Sequence, residues 1–170
     1  MDDLLRKTPA PLLFDADAIN ALAGRPEAVR ACAQPVVLTP HPGELARLLG
    51  TDVATIQSDR LAAACAAAER TGAIVVLKGA GTLIAQAGHP TWINLTGNPG
   101  MACGGVGDVL AGLLAGLLAQ GLPPFDAACA AVWLHGNAGD YAALRHTQVA
   151  MRASDVAAAL PDAFRYVSLR

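Results

Sequence analysis

Three uninterrupted apolar runs constrain this chain most: residues 11–14 (PLLF), 35–39 (PVVLT) and 73–77 (AIVVL). Each is short and closed off by turn-forming or polar residues, so each reads as a strand covered on both faces. Helical stretches separate them. One begins near Ala18 and is interrupted at Gly24-Arg25-Pro26. A short one covers 44–49 after the stop at Pro40-His41-Pro42-Gly43, and a long Ala-rich one runs from an N-cap at Ser58 to about Arg70, with Gly72 at C′. Such alternation builds a mostly parallel sheet with helices on both faces. Residues 82–86 and 91–95 flank Ala87-Gly88-His89-Pro90 and predict an antiparallel hairpin at one side. A loop over 96–107 then enters an apolar helix over 108–120. Another helix starts at Pro124 and reaches about Arg145, and Ser154 caps the last. A length of 170 residues suits one α/β domain spanning 1–170.

Twelve Lys and Arg stand against 14 Asp and Glu, a net charge of -2, which argues against a general nucleic-acid binder. A hydrophobic share of 54% argues against disorder. The most apolar stretch, 109–122, is too short to span a bilayer, so no membrane role is expected. Its Gly112 and Gly116 read as points of close helix packing. The acidic start Met1-Asp2-Asp3 has no apolar run behind it and predicts no secretory signal. Cys32, Cys65, Cys103 and Cys129 form no C-x-x-C pair. They predict reduced thiols in the cytoplasm rather than zinc ligands or disulfides.

In open α/β sheets ligands bind beyond the carboxyl ends of the strands. Asp15 or Asp17, His41, Lys78 and the loop before Asp108 all fall there. Gly104-Gly105-Val106-Gly107 precedes an apolar helix, so its N–H groups can cradle a phosphate. No Lys-Ser/Thr follows, so it is not a Walker A loop, nor is it G-x-G-x-x-G. Asp108 reads equally as a general base beside that phosphate or as a first-turn acid favoured by the helix dipole. Lys78 is either a point charge for a phosphate, with Gly79, Ala80, Gly81 and Thr82 adding backbone and hydroxyl contacts, or a strand-end lysine before a flexible turn. His41, held between two prolines, is a substrate contact or a structural loop residue. Asp15 and Asp17 suit the cleft or a helix cap. For His135, between Leu134 and Gly136, packing against a neighbour is the preferred role, and the leucines over 110–118 read as core.

Taken together, Asp15-Ala-Asp-Ala-Ile-Asn-Ala-Leu22, Leu38-Thr-Pro-His-Pro-Gly-Glu-Leu45, Leu77-Lys-Gly-Ala-Gly-Thr82, Gly97-Asn-Pro-Gly-Met-Ala-Cys-Gly-Gly-Val-Gly-Asp-Val-Leu110 and Trp133-Leu-His-Gly-Asn-Ala-Gly-Asp140 resemble the ADP/ATP-dependent NAD(P)H-hydrate dehydratases of the ribokinase-like superfamily. The resemblance covers nearly the whole chain. It implies a three-layer α/β/α fold and a lyase that repairs hydrated NADH or NADPH. Such an enzyme phosphorylates the C6 hydroxyl from ADP or ATP, with Mg²⁺, and then eliminates phosphate. It further implies Asp108 as general base and substrate contact, His41 as substrate contact, and a nucleotide site of Lys78, Gly79, Ala80, Gly81, Thr82, Gly104, Gly105, Val106 and Gly107. No metal ligands are assigned. Cys103 stands where the family usually has Thr, giving a weaker donor. The family's strands before Asp15 are absent, which predicts an exposed apolar edge and therefore a homo-oligomer or a partner supplying strands. A small-molecule kinase of the same superfamily and a nucleotide-binding remnant without turnover are the alternative functions.

Overall fold

The computed structural model describes residues 8–168, so the acidic start lies outside the described residues. Five strands form one sheet in the order β1-β2-β3-β4-β5: β1 Leu12–Phe14, β2 Val36–Leu38, β3 Ile74–Leu77, β4 Leu83–Ala85 and β5 Trp92–Ile93. The first three are parallel, with Phe14 opposite Leu38 and Leu38 opposite Val75. The β3–β4 and β4–β5 pairs are antiparallel, as the hairpin pattern predicts.

Side chains alternate across a strand, so a run apolar at every position needs cover on both faces. That cover is present. Val37, Ile74, Val76 and Ile84 pack with Leu110, Leu114 and Val132 from the helices α6 (Val106–Ala119) and α7 (Pro124–Ala150). Leu38, Val75, Leu77 and Leu83 turn the other way, onto Ile19, Leu45, Leu48 and Ala67. Those residues belong to α1 (Asp17–Asn20), α3 (Pro42–Leu49) and α5 (Arg60–Thr71), with α2 (Pro26–Arg30) and α4 (Val53–Ser58) between them. Helix α8 (Ala153–Ser168) lies along α7, joined to it by the Arg145–Asp162 ion pair at 2.6 Å. The result is the expected three-layer α/β/α arrangement.

Several local expectations need correction. Helix α3 begins at Pro42 rather than Glu44, because proline's missing N–H costs nothing at the first helical position. Ser58 closes α4, a helix not expected from the sequence, and Asp59 caps α5 by accepting from Ala62 N at 2.9 Å. Ser154 lies inside the first turn of α8, where Asp155 accepts from Arg152 N at 2.8 Å. Helix α7 runs past Arg145 to Ala150, with a non-helical Thr147 (φ 65°) marking a kink. Gly112 and Gly116 point into open space and are not close-packing residues. The leucines at 110, 114, 117 and 118 carry the buried face of α6 instead.

The close packing falls at Gly136 and Gly139 of α7. A Cβ on Gly136 would stand 2.8 Å from the backbone carbon and oxygen of Thr96, and one on Gly139 would meet the Met101 side chain. Backbone yields less than a methionine side chain, so Gly136 is the stricter position. Gly136→Ala should therefore lower the unfolding free energy by about 1–3 kcal/mol in urea titrations. Gly112→Ala and Gly116→Ala, on exposed helix surface, should be neutral or raise it by up to about 1 kcal/mol. A uniform response at all three positions would contradict this division.

Candidate active site

The carboxyl ends of β1, β2 and β3 bring together Asp15, the Thr39–Glu44 turn and Lys78. Lys78 Nζ lies 2.8 Å from Asp15 Oδ1 and 3.8 Å from Glu44 Oε2, and Glu44 is only 5% exposed. Thr39 Oγ1 donates to the same Asp15 oxygen at 2.8 Å. Asp15 is therefore held against Lys78 and Thr39 at the strand ends, whereas Asp17 sits in the first turn of α1 beside Asn20.

His41 is the N-cap of α3, in a capping box closed by Glu44. Its Nδ1 accepts from Gly43 N at 3.0 Å and Glu44 N at 3.3 Å. An atom that accepts two N–H groups carries no proton, so in this arrangement the ring proton sits on Nε2. Nε2 lies 3.3 Å from Glu44 Oε1, while Glu44 Oε2 accepts from His41 N at 2.7 Å. About half of the His41 side chain stays open to solvent.

Across the cleft, Gly105 takes a left-handed φ of 86° and no side chain caps α6; Val106 N donates to the Cys103 carbonyl at 3.4 Å, while the N–H groups of Gly107 and Asp108 enter no hydrogen bond among the described residues. Four turns of helix lie behind them, which makes this end attractive to an anion. A Cβ on Gly107 would stand 3.6 Å from Lys78 Nζ, which puts the ammonium directly beside the helix start. The preceding loop is clasped by α7: Asp140 accepts from Gly97 N at 2.9 Å and from Asn98 Nδ2 at 3.0 Å. His135 is buried, its Nε2 3.0 Å from the Val106 carbonyl, to which it must donate.

A cavity of about 800 Å³ occupies this cleft. His41, residues 78–82, Val106 and Gly107 line it, and so does His135. Gly104, Gly105 and Asp108 are exposed and outside the lining set. Asp108 is the third residue of α6, and its side chain makes no hydrogen bond or ion pair among the described residues. Glu44, Asp140 and Arg60, discussed below, were not among the expected site residues. His41-x-x-Glu44 has capping-box spacing, and that signal is visible in the sequence. Asp140 reaches the loop 42 and 43 residues upstream, a contact with no local sequence signal.

The family profile described as NAD(P)H-hydrate dehydratase matches residues 1–162. This chain belongs to that family. It is 50% identical over 163 residues to a bifunctional NAD(P)H-hydrate repair enzyme of Moorella thermoacetica, covering 96% of this chain and 31% of the relative. An ADP-dependent (S)-NAD(P)H-hydrate dehydratase of Neisseria meningitidis is 49% identical over 140 residues, covering 81% of this chain and 47% of that one. In structure the chain is similar to the ADP/ATP-dependent NAD(P)H-hydrate dehydratase of Bacillus subtilis, co-crystallised with ATP/Mg²⁺ and soaked with CoA. That match has a TM-score of 0.86 and 35% identity, and covers 97% of this chain and 59% of that one. The chain thus spans a third to three-fifths of the length of these relatives. In this family member no described helix is long and apolar enough to cross a membrane.

Burial first, and then the nearby Lys78 charge, hold His135 below the ordinary histidine range, against the pull of the Val106 carbonyl. The folded protein thus takes up this proton at lower pH than the unfolded chain. The sign follows: stability from His135 is intact above the unfolded value of about 6.5 and is lost as pH falls toward the folded value. Melting temperatures measured between about pH 7 and about pH 5 should fall more steeply for the wild type than for His135→Gln. Parallel curves would show that His135 contributes nothing to the acid limb.

Proposed function

We propose that this chain carries out ADP- or ATP-dependent dehydration of hydrated NADH or NADPH, working in the cytoplasm. The observation that supports this most is the closeness of the Lys78 ammonium to the uncapped start of α6 at a cavity lined by 78–82 and His41. In this reading residues 78–82 hold the nucleotide, and His41 contacts the hydrated nicotinamide. The amides of Gly104, Gly105, Val106 and Gly107 receive the phosphoryl group. Asp108 removes the proton from the C6 hydroxyl as its oxygen attacks the terminal phosphorus and the bond to the nucleotide's bridging oxygen breaks. Loss of phosphate from C6 and of a proton from C5 then restores the ring double bond.

Among the described residues no three His, Cys, Asp or Glu converge as a metal cage. Asp15 and Glu44 are engaged with Lys78. These residues fit a Mg²⁺ ion that arrives on the nucleotide phosphates and keeps most of its water, with Asp108 the carboxylate free to approach it. Such an ion neutralises phosphate charge.

The test is whether the 170-residue protein restores the near-ultraviolet absorbance of NADH from its hydrate with ADP or ATP and Mg²⁺. A product that stays phosphorylated would make it a small-molecule kinase instead. In the same assay Asp108→Asn should lose about 10²–10⁴-fold in turnover. Calorimetry should show nucleotide affinity retained. Near-wild-type turnover would remove Asp108 from the mechanism.

We also infer self-association, or uptake of strands from a partner. Strand β1 is paired on one side only among the described residues, and at the other edge Trp92 and Ile93 of β5 are more than half exposed. Unpaired edges of this kind recruit further strands. Gel filtration with light scattering should find a species larger than one chain. A monomer that melts cooperatively would refute the inference.

A further inference from the structure

Lys78-Gly79-Ala80 turns sharply after β3, and its backbone polar groups are divided unevenly. The carbonyls of Leu77 and Lys78 accept from Arg60 Nη2 at 3.2 and 3.4 Å, and the Ala80 carbonyl accepts from Arg60 Nη1. The Gly79 carbonyl accepts from Thr82 Oγ1 at 3.0 Å, and the Thr82 carbonyl from Asn94 N at 2.9 Å. Lys78 N is used as well, donating to the Pro40 carbonyl at 2.9 Å. By contrast, the N–H groups of Gly79, Ala80 and Gly81 enter no hydrogen bond among the described residues. Backbone donors are obligatory bonding groups, so a turn whose acceptors are consumed and whose donors are left over is set up for an acceptor-rich ligand.

One side chain is responsible for most of that division. Arg60 is the first residue of α5, anchored by the Asp59 cap. It lies behind the turn, outside the residues that line the cavity. Its planar fork spreads five donors over three separated nitrogens, so Nη1 and Nη2 reach different carbonyls in a fixed plane; the three donors of a lysine ammonium all sit on one nitrogen and lack that span. Gly79 makes room for it. At a φ of 145°, a Cβ on this residue would stand 2.8 Å from Arg60 Nη2 and 3.2 Å from Cζ. The backbone conformation favours glycine here, and a Cβ would push the guanidinium off the carbonyls it holds.

The geometry points to Arg60 as a positioning residue for the nucleotide: it gathers the carbonyls of 77, 78 and 80 on the far side of the turn and leaves the amides of 79–81 for phosphate or another acceptor group. This rests on the reading of 78–82 as the nucleotide segment. It acts through the backbone without touching the ligand, so its loss moves nucleotide affinity more than it moves the chemistry.

The experiment compares wild type, Arg60→Lys and Arg60→Met as full 170-residue chains. Calorimetric titration with ADP and ATP in Mg²⁺ is run beside thermal melts. The Kd should rise about tenfold in Arg60→Lys, which keeps one charge but not the fork, and up to about a hundredfold in Arg60→Met. In turnover assays KM for the nucleotide should rise in step, while kcat and KM for the hydrate stay within about threefold. A residue that only supports the fold would lower the melting temperature and leave Kd unchanged. If Arg60→Met does not fold, Arg60→Lys carries the comparison. Wild-type affinity in a folded variant overturns the assignment. Failure of the wild type to bind either nucleotide overturns the reading of 78–82, and the assignment with it.

Discussion

Lys78, at the end of β3, is the point on which three other parts of this molecule converge. Its ammonium joins the end of β1 through Asp15 and the start of α3 through Glu44, and it lies beside the start of α6 at Gly107. Lys78 and Asp15 are each about one-fifth exposed or less, so they were taken out of water at a cost that their mutual attraction must offset. Removing Lys78 would leave Asp15 without its ion-pair partner, whereas removing Asp15 would leave Lys78 with Glu44 alone. The cluster also has a formal imbalance: one positive charge faces two carboxylates. Lys78 then works as a shared bridge rather than as a lone charge reserved for the ligand.

What the sequence makes legible here is what short-range physics decides. PVVLT and AIVVL admit little besides strands covered on both sides, and the structure supplies two separate cores, one per face. Lys78 and His41 stand at strand ends because the apolar runs stop there, so their meeting in one cleft follows from the topology. Less legible were choices between near-equivalent groups. Ser58 and Asp59 are both competent caps, and only the geometry of the chain entering α5 selects the aspartate. Glycines at 112 and 116 look like a packing stripe until the direction of α6 is known, and the sequence does not say which stripe of that apolar helix meets the sheet. The clasp of Asp140 on Gly97 and Asn98 was invisible because nothing local announces it. The hold of Arg60 on the Lys78 turn was hidden for the same reason.

The site also shows how glycine-rich motifs divide their labour. Gly79 admits a guanidinium, Gly107 leaves space beside an ammonium, and Gly136 accepts the backbone of the loop itself. At Gly79 and Gly136 the vacated volume is filled by another group of the same protein, whereas at Gly107 a Cβ would only touch the ammonium at 3.6 Å. The compact cleft follows from this: helix α7 can press against the loop over 96–101, and Asp140 can reach it, only because Gly136 and Gly139 carry no side chain there.

The two-sided strands carry a consequence for how this chain can change length. Neighbouring residues of β3 belong to different cores: Val75 to one and Val76 to the other. Deleting a single residue within Ile74–Leu77 would send every following side chain through the sheet to the opposite layer, and Lys78 would leave the cleft with them. The turn between β4 and β5 lacks this constraint, since Ala87, Gly88 and His89 are exposed and Gly88 faces open space. Length variation should therefore accumulate in that turn and be purged from β3, even though both segments lie within a dozen residues of the unpaired amides of 79–81.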